Sequence, residues 1–161
     1  MIEMELEGIR VEMPAHSPII LLKERAGTNR LLPIYIGGPE AQSIAYAMEG
    51  RVPPRPLTHD LFRDVLTTLG ATLVRVVVTA LEETTFFAEL ILEHGGSSLT
   101  VSARPSDAVA LAVRTGAPIY CLEEVLSAAG QVPPTAEPES DELVDEFRSF
   151  LDHISPEDFA G

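Results

Sequence analysis

The chain has 161 residues, a length suited to one domain, and 45% of them are hydrophobic, which is enough for a sizeable core and excludes disorder of the whole chain. The formal net charge is −14 and is unevenly spread: residues 131–161 hold nine acids and one base, whereas residues 1–130 hold sixteen acids and ten bases, nine Arg and Lys23. A mildly acidic body draws no polyanion over long range, so any nucleic-acid role has to rest on a local cluster of arginines.

The start, Met1-Ile-Glu-Met-Glu-Leu-Glu, is acidic and alternating, unlike the basic-then-apolar opening of a signal peptide. Residues 2–12 read as a strand, bulged near Gly8. Met13–Pro18 is a turn with two prolines, and strands follow at Ile19–Leu22 and Leu31–Ile36, making an antiparallel meander. Gly37-Gly-Pro-Glu then opens a helix with Pro in its first turn and Glu40 at its positive end. Ala41, Ile44, Ala45 and Met48 mark its apolar face. Arg51–Leu57 carries three prolines and is an extended loop. Thr58 is a fitting N-cap for a second helix, whose apolar stripe is Leu61, Phe62, Val65, Leu66 and Leu69 and whose stop is Gly70.

Residues 72–81 and 85–93 read as strands about a Glu82-Glu-Thr turn, and Leu99–Ala103 as a third, forming a second meander. The helix from Pro105 to about Arg114 is apolar all round, which predicts a central, buried helix. Pro118–Cys121 is a short strand holding the only cysteine, expected as a buried thiol in a reducing compartment. Leu122–Ala129 is a short helix. A Pro-rich linker spans 131–138. Within the tail, 139–161, residues 141–154 form an acidic amphipathic helix with Leu143, Phe147, Phe150, Leu151 and Ile154 on one face. That helix is suited to packing on the body or on a sister subunit, with docking on a protein partner, or disorder of the segment, as the alternatives. No apolar run approaches the roughly 20 residues of a membrane helix. The expectation is a cytoplasmic α+β protein, one compact domain over 1–130 with mixed or antiparallel sheets and helices packed against them.

Two segments stand apart from ordinary loops: Arg55-Pro-Leu-Thr-His-Asp-Leu and Ser102-Ala-Arg-Pro-Ser-Asp-Ala. Each sets Arg-Pro just before a helix and an Asp in its first turn. Helix N-termini carry free N–H groups and partial positive charge, so Arg55, Arg104 and Ser106 suit a phosphate. Asp60 and Asp107, with Glu40 at a third helix start, suit a hard divalent cation such as Mg²⁺ or Mn²⁺ if the fold gathers them. His59 suits a general base. A plainer reading is open beside this one. Acids in a first turn satisfy the helix dipole, Asp107 can pair with Arg55 or Arg104, and Ser106 can cap locally. Phosphate-loop, dinucleotide, nucleophile-elbow and zinc-protease motifs are missing from the sequence.

Leu32-Pro-Ile-Tyr-Ile-Gly, then Glu40-Ala41, then Arg55-Pro-x-Thr-His-Asp-Leu, then Ala103-Arg-Pro-Ser-Asp-Ala-Val-Ala-Leu-Ala resemble, in order and spacing, the bifunctional nuclease domain family across about residues 1–130. The resemblance implies a compact α+β domain, commonly a homodimer, and cleavage of DNA and RNA as reported for some members. Carried over by position, its motif residues are Glu40, Arg55, His59, Asp60, Arg104, Ser106 and Asp107. Together with the acids and arginines gathered at helix starts, it makes catalysis by Glu40, His59, Asp60 and Asp107, a cation on Asp60 and Asp107, and phosphate on Arg55, Arg104 and Ser106 the expectation. Some relatives end in a module resembling the UvrB/UvrC interaction motif, whereas this chain ends in the Pro-rich stretch and acidic segment. The alternative from a different class is a non-catalytic regulatory or scaffold module that binds a protein partner or a small anion.

Overall fold

The computed structural model describes residues 1–133, and the expected acidic helix at 141–154 lies outside them. Seven strands and four helices follow one another as β1 (Ile2–Glu12), β2 (Ser17–Glu24), β3 (Leu31–Tyr35), α1 (Gly38–Met48), α2 (Thr58–Thr68), β4 (Thr72–Glu82), β5 (Thr85–His94), β6 (Ser97–Ala103), α3 (Pro105–Thr115), β7 (Ile119–Cys121) and α4 (Glu123–Ala129). The class is α+β, as the alternation and helical spacing imply.

The two expected meanders form one sheet, in the order β3-β2-β1-β7-β4-β5-β6. The short strand β7 joins them: it pairs antiparallel with β1 and parallel with β4, and that parallel pair makes the sheet mixed. Three residues of β7 are enough because Ile119 and Cys121 are buried and each strand edge beside them is satisfied. Strand β6 begins two residues before the expected Leu99, since His94 pairs with Ser97 across the tight Gly95-Gly96 turn. Both of those glycines have positive φ, a backbone region that costs glycine little.

Alternate strand residues fill a single core: Ile20 and Leu22, Leu32 and Ile34, Val76 and Val78, Ala88, Leu90 and Leu92. All four helices contribute to the same cluster through Ile44, Leu66, the run Ala108–Ala112, and Val125 with Leu126. They therefore cover one face of the sheet. Helix α3 is the buried centre its composition predicts, and its alanines 108, 110 and 112 let α1, α2, β4 and β5 approach closely. Gly116 ends α3 in the left-handed conformation. Helix α2 departs from expectation. Only Leu66 of its stripe is buried, while Leu61 is 54% and Leu69 63% exposed. The helix lies at the rim of the core, where one side of a stripe that wide finds no partner among the described residues. Its N-cap is Leu57, one residue before Thr58, and Asp60 instead accepts the Leu57 N–H at 3.0 Å.

Arg30 clamps the far end. Its guanidinium reaches buried Glu24 at 3.0 Å and Glu123 at 2.8 Å, and the Arg30 hydrogen bonds hold the Glu123 carboxyl down to about 2. Gln131, first residue of the Pro-rich stretch, still exchanges two backbone hydrogen bonds of 2.7 Å with Leu31. Gly130 sits beneath this junction, where a Cβ would stand 2.3 Å from the Leu126 carbonyl oxygen. Backbone cannot yield that distance cheaply, so Gly130→Ala should cost about 1–3 kcal/mol, read as a lower urea midpoint with an unchanged slope. An unchanged midpoint would refute the close packing. Cys121 is fully buried, and desolvation pushes its thiol up to about 12, which suits a structural role. Among the described residues no helix is long and apolar enough to cross a membrane.

Candidate active site

Helices α1, α2 and α3 each carry an acid at their third position: Glu40, Asp60 and Asp107. Such acids are favoured there by the helix dipole, and the fold turns this repeated local preference into a shared site. Arg104, immediately before α3, donates to both Asp107 oxygens, at 2.8 Å from Nε and 3.1 Å from Nη2. The same Nη2 lies 2.9 Å from Glu40 Oε1. His59, in the first turn of α2, lies with Nε2 2.9 Å from Asp107 Oδ1 and Nδ1 2.7 Å from Ser43 Oγ on α1. Arg114, near the end of α3, reaches back to Asp60 Oδ1 at 2.7 Å and to the Ser43 hydroxyl and carbonyl oxygens at 3.0 Å each. Three helix starts are thereby laced by two arginines, one histidine and one serine.

With the His59 ring neutral, the hydrogens in this chain have one consistent arrangement. Burial raises the Asp107 carboxyl, but hydrogen bonds from Arg104 and His59 outweigh it and hold the group below the ordinary carboxylate range. Asp107 is thus ionised and only accepts, so His59 Nε2–H donates to it. In neutral imidazole, Nδ1 is then the acceptor, and the Ser43 hydroxyl donates to it. Arg114 donates in turn to the Ser43 oxygen. Asp60 follows the same balance: burial raises its carboxyl, while Arg114 and the Leu57 N–H bring it below its usual value.

Glu40, Ser43, His59, Arg104 and Asp107 line one open cleft of about 510 Å³, together with residues from the starts of α1 and α2. Asp60 faces away, into a neighbouring hollow with Arg51, Arg63 and Arg114. Ser106 is buried and borders a third cleft, beside Gly37 and Phe86. Arg55 is exposed in the loop before α2 and stands outside the network. So of the residues expected from the sequence, Glu40, His59, Arg104 and Asp107 converge, while Asp60, Arg55 and Ser106 lie beside that cleft. Ser43 and Arg114 join it unexpectedly.

A divalent cation on Asp60 and Asp107 does not fit this arrangement. The Asp60 oxygens are taken by Arg114 and the Leu57 N–H, and those of Asp107 by Arg104 and His59. Among the described residues no three His, Cys, Asp or Glu side chains gather at metal-holding distance. A cation entering the cleft would have to displace the Arg104 guanidinium from between Glu40 and Asp107.

A model of the bifunctional nuclease domain matches residues 20–134, which includes every one of these side chains. The chain belongs to the bifunctional nuclease domain family. An uncharacterized protein of Mycobacterium tuberculosis is 47% identical over 163 residues, covering 98% of this chain and 97% of its own. Bifunctional nuclease 2 of Arabidopsis thaliana is 32% identical over 112 residues, 66% of this chain and 34% of the plant protein. Bifunctional nuclease 1 of the same plant is 32% identical over 108 residues, 65% of this chain and 33% of that protein. The plant similarity thus covers the domain and leaves about two thirds of each plant protein unmatched.

Proposed function

We infer that this chain is a phosphodiesterase acting on DNA or RNA, and that the cleft lined by Glu40, Ser43, His59, Arg104 and Asp107 is where the ester is cleaved. The observation that carries the reading is a base oriented by a carboxylate, His59 on Asp107, beside an exposed Arg104 at three helix N-termini. A phosphate seated there meets the Arg104 guanidinium and the free N–H groups of the first turns. Those donors also offset charge that grows on phosphoryl oxygens in the transition state. Phosphate binding by Arg55 and Ser106, and a homodimer, belong to the same proposal. No step is routed through a cation, because the carboxylates are occupied by arginines.

The test is cleavage of single-stranded DNA, duplex DNA and RNA by the full chain with Mg²⁺, Mn²⁺ or EDTA, beside a folded Asp107→Asn variant. Cleavage lost in the variant supports this site. Equal cleavage by the variant points to a contaminant and refutes it. Cleavage that needs Mg²⁺ or Mn²⁺ would overturn the cation-free reading, placing a metal on the substrate phosphate or in the place of Arg104. A second reading has its own observation: each aspartate of the network is paired with its own arginine, as a structural pin would be. In that reading the cleft holds a small anion without turnover, and inorganic phosphate raises the melting temperature while no nucleic acid is cut.

A further inference from the structure

The hydroxyl groups of the helices differ in their partners, and Ser127 of α4 donates to Glu123 Oε1 within its own helix at 2.8 Å. Thr67, Thr68 and Thr115 each donate to the carbonyl four residues back, at 3.0, 2.8 and 2.9 Å, the ordinary resting place of a helical hydroxyl. Ser43, also within a helix, points away from its own backbone, toward His59 Nδ1 at 2.7 Å. His59 is held on its other nitrogen by Asp107. A hydroxyl on a base, with the base oriented by a carboxylate, is the signature of an activated nucleophile on any fold. The ring is used in the reverse sense from the serine proteases, with the carboxylate on Nε2 and the serine on Nδ1, but proton transfer at one nitrogen and charge stabilisation at the other are unchanged.

We propose that Ser43 is a covalent nucleophile, with His59 as its general base and Asp107 as the group that orients the imidazole. The phosphoryl substrate class rests on the nuclease reading above. The geometry leaves His59 little else to do as a base, because Nε2–H is committed to Asp107 and the lone pair at Nδ1 faces only the Ser43 proton. The Ser43 oxygen has two lone pairs. One accepts from Arg114 Nη2 at 3.0 Å, and the other is left for attack. Ser43 is 8% exposed and borders the same cleft as Arg104.

In the first step Ser43 Oγ forms a bond to phosphorus and gives its proton to His59 Nδ1. The bond from phosphorus to the leaving oxygen breaks, and that oxygen takes the proton from His59 and departs as an alcohol. Asp107 stabilises the transient imidazolium. In the second step water attacks phosphorus and gives a proton to His59. The Oγ–phosphorus bond breaks, and Ser43 recovers the proton. Nothing is oxidised or reduced, and water is the only co-reactant.

The test is treatment of the full chain with diisopropyl fluorophosphate in EDTA, followed by peptide mass spectrometry, beside cleavage assays of Ser43→Ala and Ser43→Cys checked for folding by circular dichroism. The expected result is one phosphoryl adduct on Ser43, formed at least about a hundredfold more slowly in His59→Gln, in keeping with general-base assistance. In Ser43→Cys, iodoacetamide should alkylate the new thiol before Cys121. Phosphorylation elsewhere or none at all overturns the proposal, as does folded Ser43→Ala that cleaves nucleic acid at the wild-type rate. The last result leaves the nuclease reading standing. Conversely, a Ser43 adduct in a protein that cuts neither DNA nor RNA upholds the nucleophile and sinks the nuclease reading.

Discussion

Arg114→Met should lower stability by about 3–5 kcal/mol, the cost of leaving one member of a buried ion pair alone. The Arg114 side chain is 4% and that of Asp60 14% exposed. The guanidinium also serves Ala110 and Ser43, so its loss removes one of the two ties, beside His59, that hold the start of α2 against α1 and α3. A domain of this size has only about 5–15 kcal/mol in all, and urea denaturation should show a large drop in midpoint. The pH dependence gives a second check with a definite sign. In the wild type, Asp60 titrates below the unfolded value of about 3.9. Its contribution is present above that pH and is lost as pH falls from about 4 through the lowered folded value. Without Arg114, burial is left to raise the Asp60 carboxyl. The folded state then takes up a proton before the unfolded one, so acidification from pH 7 toward 5 should narrow the gap to wild type. A gap that stays constant over that range would show that Asp60 gains no proton and that the pair is not what stabilises this junction. Asp60→Asn in the Arg114→Met background should recover part of the loss.

Local patterns reached far in this chain because most elements are locally consistent. Period-two strands, Pro39 and Pro105 near helix starts, and Gly70 and Gly116 at helix stops specify the elements where they occur. The apolar girth of α3 announced its central place. The joining of two meanders into one sheet was not legible, because it depends on β7, three residues whose partners are more than 40 residues away in sequence on one side and more than 110 on the other. The face that α2 turns to the core was hidden for a related reason: five apolar positions define a stripe, but the packing of α3 decides that only Leu66 enters. At the site, the acids and arginines were visible as helix-start chemistry, and Glu40, His59, Arg104 and Asp107 do meet. Their pairing was not, since it follows from how three helices cross. Ser43 and Arg114 carried no signal of their own in the sequence, Arg114 marking only the end of the third helix. At about 100° per residue Ser43 falls off the face of Ala41, Ile44, Ala45 and Met48, so helical spacing gave no reason to bury it.

His59→Gln should reduce the turnover of nucleic-acid cleavage by about 10²–10⁴-fold, the usual range for a lost general base, while KM changes little. Glutamine is the informative replacement. Its amide N–H can still reach Asp107 from near the position of Nε2, which preserves the carboxylate's partner, but it offers no basic nitrogen to Ser43. Asp107 also keeps both Arg104 hydrogen bonds, so the fold should persist and the melting temperature should move little. Arg104→Gln should behave differently. Arg104 is 66% exposed at the cleft, and removing it strips positive charge from the phosphate seat, so KM should rise as well. A base and a binding group are thereby separated by which constant moves. If folded His59→Gln cleaves at the wild-type rate, His59 is a structural link between Ser43 and Asp107 and the chemistry belongs elsewhere. If instead turnover collapses with KM unchanged, the histidine acts only in the transition state, as its position between a hydroxyl and an ionised carboxylate demands.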